Sequence, residues 1–256
     1  MTLTWLDRKN GLFHFLIVII CLLYHQDAQS TNEAHKVLEK PQWRVWQKNS
    51  HIEVSYRNSH IYNSDNVPLL EVKATLQVDS SLSAFLLFIQ DVENTPRWLI
   101  NAKRSEITRQ NSPQENQFYI EFKGLWPIKK RLLFIQSRYW QNKDLSVEIA
   151  LTDAEDKIIE QLFPKERDDI IKVNIHQAQW LLTPSLRINE QTKEIHHLNI
   201  EYQFIADAGG NVPQWLAKHF ALKSIWKSIR NIHRQLPESI WQQHDIPHIK
   251  ELTPSN

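Results

Sequence analysis

Twelve histidines are the first candidates for chemistry in this 256-residue chain, and their spacing does not gather them. His196 and His197 are adjacent, so on a strand they point to opposite faces. His244 and His248 are four apart, but Pro247 between them opposes the helix that would bring both onto one metal. The spacing therefore predicts no metal site and no cofactor. There is no glycine-rich phosphate loop and no Gly-x-Ser-x-Gly elbow, and the single cysteine, Cys21, lies in an N-terminal apolar run. No catalytic residue is assigned. Glu201 with Arg131 or Arg138 is the remaining acid–base combination: inside a cavity it would orient a ligand's polar head, and elsewhere it would face solvent or satisfy itself.

The elements that position these residues are bounded first by composition. The length suits one substantial core and does not demand two domains. A net charge of +1 argues against bulk attraction to nucleic acid. Arg8 and Lys9 precede the apolar run Leu12 to Tyr24, and Ala28-Gln29-Ser30 offers small residues for cleavage, so residues 1–30 read as a secretory signal peptide. The run is shorter than the roughly 20 residues of a spanning helix. Ile20 before Cys21 argues against lipidation. The expected location is exported, periplasmic or secreted, with an uncleaved anchor as the rival. Residues 31–41 form a polar lead.

The rest reads as strands with few helices. Trp43 to Lys48 and Ile52 to Arg57 flank an Asn49-Ser50 turn, and Leu70 to Val78 alternates cleanly. Ser81 offers a cap for a short buried helix over Leu82 to Ile89, and Thr95 to Leu99 starts another short helical piece. Asn116 to Phe122 sets Phe118, Ile120 and Phe122 against Gln117, Tyr119 and Glu121. Arg131 to Trp140, Asp144 to Leu151 and Ile170 to Trp180 are further strands, with Glu155 to Asp169 as a loop and a polar bend after Thr183-Pro184. The spacing predicts an α+β domain with an antiparallel sheet.

The chain is organised around Ile195 to Leu236. Leu198, Ile200, Tyr202 and Phe204 share one strand face, Gly209-Gly210 permits a tight reversal, and Asn211-Val212-Pro213 opens a helix of about six turns that ends before Pro237. One broad helix face carries Trp215, Leu222, Ile225, Trp226, Ile229, Ile232 and Leu236, and is expected toward the sheet. Ala217, Ala221, Ser224 and Ser228 form a small-residue stripe that either admits another element closely or leaves room for a ligand. Lys223, Lys227, Arg230 and Arg234 form a third stripe: a solvated face, or a rest for anionic headgroups. If the helix sat flush on the sheet the result would be a filled core; held off by curvature, it would leave an apolar pocket.

Tyr202 to Leu216, preceded by Trp180-Leu181-Leu182-Thr183-Pro184, resembles the C-terminal signature of START domains, the StAR-related lipid-transfer family. Arg131 stands where that family's Arg-Asp pair begins a middle strand, with Leu132 in place of the Asp. The resemblance covers roughly residues 42–236 and implies a helix-grip fold, a curved antiparallel sheet gripping the last helix over an apolar tunnel. It implies non-covalent binding, and transport, of a lipid, sterol or other bulky apolar ligand, by a protein expected as a monomer. The ligand-contacting residues would be Phe118, Ile120, Val147, Ile149, Val173, Ile175, Ile200, Tyr202, Trp215, Leu222, Trp226 and Arg131. Alternatives are a cyclase- or hydratase-like enzyme using the same pocket, which would need converging titratable groups, and a membrane-tethered interaction module. Residues 237–256 are a tail without a functional reading.

Overall fold

A computed structural model describes residues 41–124, 129–154, 162–163, 170–188, 194–210 and 212–253. The signal-like segment, most of the polar lead, most of the loop expected at Glu155 to Asp169, and Asn211 lie outside them. Residues from Trp43 onward form one compact unit.

Ten strands among the described residues form one sheet: β1 (Arg44–Lys48), β2 (Ile52–Tyr62), β3 (Pro68–Asp79), β4 (Ala102–Ser112), β5 (Glu115–Phe122), β6 (Lys130–Gln141), β7 (Val147–Asp153), β8 (Ile170–Lys172), β9 (Asn174–Ile188) and β10 (Glu194–Asp207). Their order is β1-β2-β3-β10-β9-β7-β6-β5-β4, with antiparallel neighbours throughout and β8 parallel to β6. Helices α1 (Leu82–Gln90) and α2 (Thr95–Trp98) lie between β3 and β4, and α3 (Gln214–Gln235) follows β10. This is the α+β antiparallel arrangement that the alternation predicts, in the helix-grip form that the START resemblance implies.

Local chemistry sets the ends of the helices. The Ser81 hydroxyl accepts from the Ala84 N–H at 3.1 Å, capping α1. The tail contributes a second cap: the Glu251 carboxylate accepts from the N–H groups of Leu82 and Ser83 at 3.1 and 2.8 Å. Residues 237–253 are thus a strap across α1, held also by Gln242 to Ser80 and by Ile246 N–H to the Ser83 hydroxyl.

Four expectations need correction. The strand expected over Ile170 to Trp180 is split, because Val173 N–H turns to the Leu132 carbonyl and leaves β8 beside β6. There is no bend after Pro184; β9 runs on to Ile188, since β7 pairing stops at Leu182 and a residue without an N–H is tolerated on the freed edge. Leu145 is in a turn with φ of +68°, outside β7. Tyr119 and Glu121, expected on a polar face, are buried, because Phe163 closes over the outer side of β5 and β6 and packs edge-on to Tyr119 and Phe134.

Glu121 is fully buried and bonded to Lys103 Nζ at 2.8 Å and Arg104 Nε at 2.6 Å. Burial pushes its carboxyl up, but the two cations outweigh burial and leave it below the ordinary value of 4.5. In acid the unfolded chain then takes up the proton first, so this contribution is complete above the ordinary value and is lost as pH falls through the folded one. Glu121→Gln is expected to lower the urea midpoint at pH 7 and to flatten its decline between about pH 5 and pH 3, measured by fluorescence-detected unfolding.

Candidate functional site

The inner face of the sheet is a grid whose rows follow from strand register. Tyr202, Trp180, Ile149 and Tyr139 are successive partners across β10, β9, β7 and β6. The next row is Phe204, Ala178, Leu151, Ser137 and Asn116. Ile135 and Phe118 pair in the third, Leu133 and Ile120 in the fourth, and Arg131 and Phe122 in the fifth. Arg131 and Tyr139 are eight residues apart on β6, so the grid extends up to about 26 Å.

A cavity of about 340 Å³ lies between this grid, α1, the segment 98–101 and α3, and its lining is overwhelmingly apolar. That is near the lower end for sites that enclose a drug-sized ligand. The helix packs chiefly on β2, β3 and α2, not on the middle strands. Its small-residue stripe serves both ends foreseen for it. Ser228 accepts from Ile100 N–H at 3.0 Å and Ser224 from Asn101 Nδ2 at 3.4 Å, while Ala221, Ser224 and Ser228 border the cavity.

Of the residues expected to contact a ligand, Phe118, Ile120, Ile149, Val173, Ile175, Tyr202 and Arg131 line the cavity. Val147, Ile200, Leu222 and Trp226 do not; they are packed into the main core, Trp226 edge-on to Trp46 with centroids 6.4 Å apart. Trp215 is 71% exposed in the first turn of α3 and faces solvent. Glu201 is on the outer face, 3.9 Å from Lys73, and Arg138 is exposed, so neither forms the cavity pair with Arg131. Lys223, Lys227, Arg230 and Arg234 are all exposed. Sequence reasoning missed Asn116, Ser137, Tyr139 and Gln90, polar residues that border the cavity. Asn116 continues the Phe118-Ile120-Phe122 alternation by one step, the signal that could have found it.

Arg131, Tyr139 and Tyr202 are the titratable groups that line the cavity among the described residues. Burial lowers Arg131 and raises both tyrosines, in each case favouring the neutral form, and no charged partner contributes to these shifts. Among the described residues no carboxylate or imidazole joins them in the lining. Arg131 donates to the carbonyls of Ala208 (2.9 Å), Lys129 (3.0 Å) and Gly209 (3.2 Å), leaving part of its five-donor fork uncommitted. His197, by contrast, is outside the cavity and bonds Asp79 at 2.7 Å.

The Gly209-Gly210 turn joins β10 to the approach to α3, with φ of +63° and +73°. A Cβ on Gly209 would meet Ile171 Cγ2 at 2.7 Å and the Lys172 carbonyl at 3.2 Å; one on Gly210 would meet only the Ile171 side chain. Gly209→Ala is therefore expected to cost about 2 kcal/mol. Gly210→Ala is expected to cost less, and Ile171→Val should relieve part of its penalty; urea unfolding of the three variants checks the order.

No family model matches the chain, and no curated relative is found. Solved structures do match. A STAR-related lipid transfer protein fragment from Xanthomonas axonopodis aligns with TM-score 0.59 and 20% identity over 76% of this chain and 98% of its own. Human STARD10 aligns with TM-score 0.60 and 15% identity over 80% of this chain and 78% of its own. Human StAR-related lipid transfer protein 5 aligns with TM-score 0.58 and 15% identity, covering 89% and 96%. The chain has the START-domain fold.

Proposed function

We propose that the protein binds a lipid or other bulky apolar ligand non-covalently beneath α3 and exchanges it through the end closed by the Gly209-Gly210 turn and the first turns of that helix. The observation that carries this reading is the apolar cavity itself, bordered by small residues on the helix side. Each ligand methylene taken from water would contribute about 0.8 kcal/mol. Two of the similar structures are named as lipid-transfer proteins, which supports the same ligand class. Arg131 would serve a polar or anionic atom at the hinge end. The binding reading is favoured over an enzyme because burial holds the lining tyrosines protonated and Arg131 stays cationic, with no acid–base pair between them. Native mass spectrometry of the purified protein is expected to show a co-purified apolar molecule, or stoichiometric uptake of a neutral apolar fluorophore. Neither one occurring would reject the proposal.

Transport is the further part of this reading. Residues 1–30 would export the chain, and the domain would carry its ligand as a monomer through the periplasm or outside the cell; retained, the same segment would tether it. The exposed stripe Lys223, Lys227, Arg230 and Arg234 supports a transient rest on anionic membranes, at about 1 kcal/mol per basic residue near a charged surface. Replacing all four with Gln is expected to weaken sedimentation with phosphatidylserine-containing vesicles at least tenfold at low salt, leaving fluorophore uptake intact. Unchanged vesicle binding would remove the stripe from the mechanism.

A further inference from the structure

The two ends of the cavity differ in chemistry. At the hinge end Arg131 brings charge; at the end beneath α1 the polar groups are all neutral. Asn116 is only 6% exposed, and its side-chain oxygen has no hydrogen-bond partner in the protein. The Gln90 amide nitrogen lies against the Tyr139 hydroxyl, and the Trp98 indole N–H, in a residue 9% exposed, is unpartnered. All three residues border the cavity, together with Ser137, the register partner of Asn116. Tyr139 belongs to the same end but is already engaged, its hydroxyl 2.9 Å from His248.

We infer that this end is a subsite for an uncharged hydrogen-bonding group, a hydroxyl, carried on the part of an apolar ligand that lies beneath α1. The inference rests on the cavity reading and specifies its ligand class. A bare hydrocarbon here would leave a buried acceptor on Asn116 and a buried donor on Trp98 without partners, each a desolvation cost with no return. A carboxylate or phosphate would be worse placed: among the described residues no cation lines this end, and Arg131 is eight residues away along β6. A hydroxyl both donates and accepts, so it can serve the Asn116 oxygen as donor and the Trp98 indole N–H as acceptor.

The test is displacement of neutral N-phenyl-1-naphthylamine from the purified full chain by dodecan-1-ol, its methyl ether and laurate. The alcohol is expected to compete about tenfold better than the ether, which cannot donate, and better than laurate. Asn116→Leu should shrink the alcohol's advantage over the ether to less than about threefold, the ratio being taken within each variant so that any change in fluorophore affinity cancels. Without ligand, Asn116→Leu should leave Tm unchanged or raise it, since the variant removes an unpartnered polar group. Equal competition by alcohol and ether would mean that ordered water satisfies these atoms, and would overturn the subsite while leaving the cavity reading standing. A lower Tm for Asn116→Leu would make Asn116 a structural residue and overturn it too. Failure of the fluorophore to bind at all would instead sink the cavity reading on which the subsite depends.

Discussion

The structure depends on a helix kept away from the middle of the sheet it closes. Burial of apolar surface favours collapse of α3 onto β5 to β7, so something must hold it out. The prop is the shoulder formed by α2 and the residues after it. Asn231 Nδ2 donates to the Trp98 carbonyl at 3.0 Å, Gln235 Nε2 to the Arg97 carbonyl at 3.1 Å, and Ile100 N–H to Ser228. Moving the helix inward would break these bonds at a partly buried site. Meanwhile the helix satisfies its own apolar face elsewhere: Ile225, Trp226, Ile229, Ile232 and Leu236 are buried in the core shared with β2, β3 and α1.

The sheet beneath is correspondingly stiff. Trp180, Tyr202 and Phe204 stack along its inner face, with neighbouring centroids 4.1 and 5.3 Å apart. Its other face is pinned by charge. Arg57 grips the buried Glu71 through two bonds of 2.5 and 2.9 Å, Gln203 reaches the same carboxylate, and Arg57 and Lys73 both lie over the Trp43 ring. Truncating one member of such a buried set leaves the other uncompensated. A floor fixed on both faces puts the freedom to open in the connection to α3.

Much of this architecture is legible in sequence, because period-two alternation marks Leu70 to Val78, Asn116 to Phe122 and His197 to Phe204, and because paired glycines before a long amphipathic run mark the hinge. Alternation reports a face but not what stands opposite it. Val147, Ile149, Ile200 and Tyr202 obey one pattern, yet only Ile149 and Tyr202 border the cavity, the others being packed into the main core. The same limit hid Glu121 and Tyr119, whose cover comes from Phe163, some forty residues along the chain. Trp215 fits the helical stripe by angle but falls in a first turn beyond the sheet. The Glu251 cap on α1 could not be read locally at all, its partners being 168 and 169 residues away.

The strap gives the cavity its direction. At the end beneath α1, Glu251 caps that helix, Gln141 and Lys250 exchange two backbone–side-chain bonds of 2.8 and 2.9 Å, and His248 stacks on Tyr139 while meeting its hydroxyl. At the other end the closure is the glycine turn, held to β6 by the Arg131 bonds to Ala208 and Gly209. The first two turns of α3 carry no fully buried residue, whereas the rest of the helix is anchored by Leu222, Ile225, Trp226, Ile229 and Ile232. Opening at the strap would break a network spread over α1, β6 and the tail, whereas opening at the hinge would break the Arg131 bonds to Ala208 and Gly209 and the Gln214 bond to the Pro68 carbonyl, beside residues already at positive φ. On the proposed reading, exchange through the hinge end would therefore be the lower path, and a ligand entering there would lead with the group that comes to rest beneath α1.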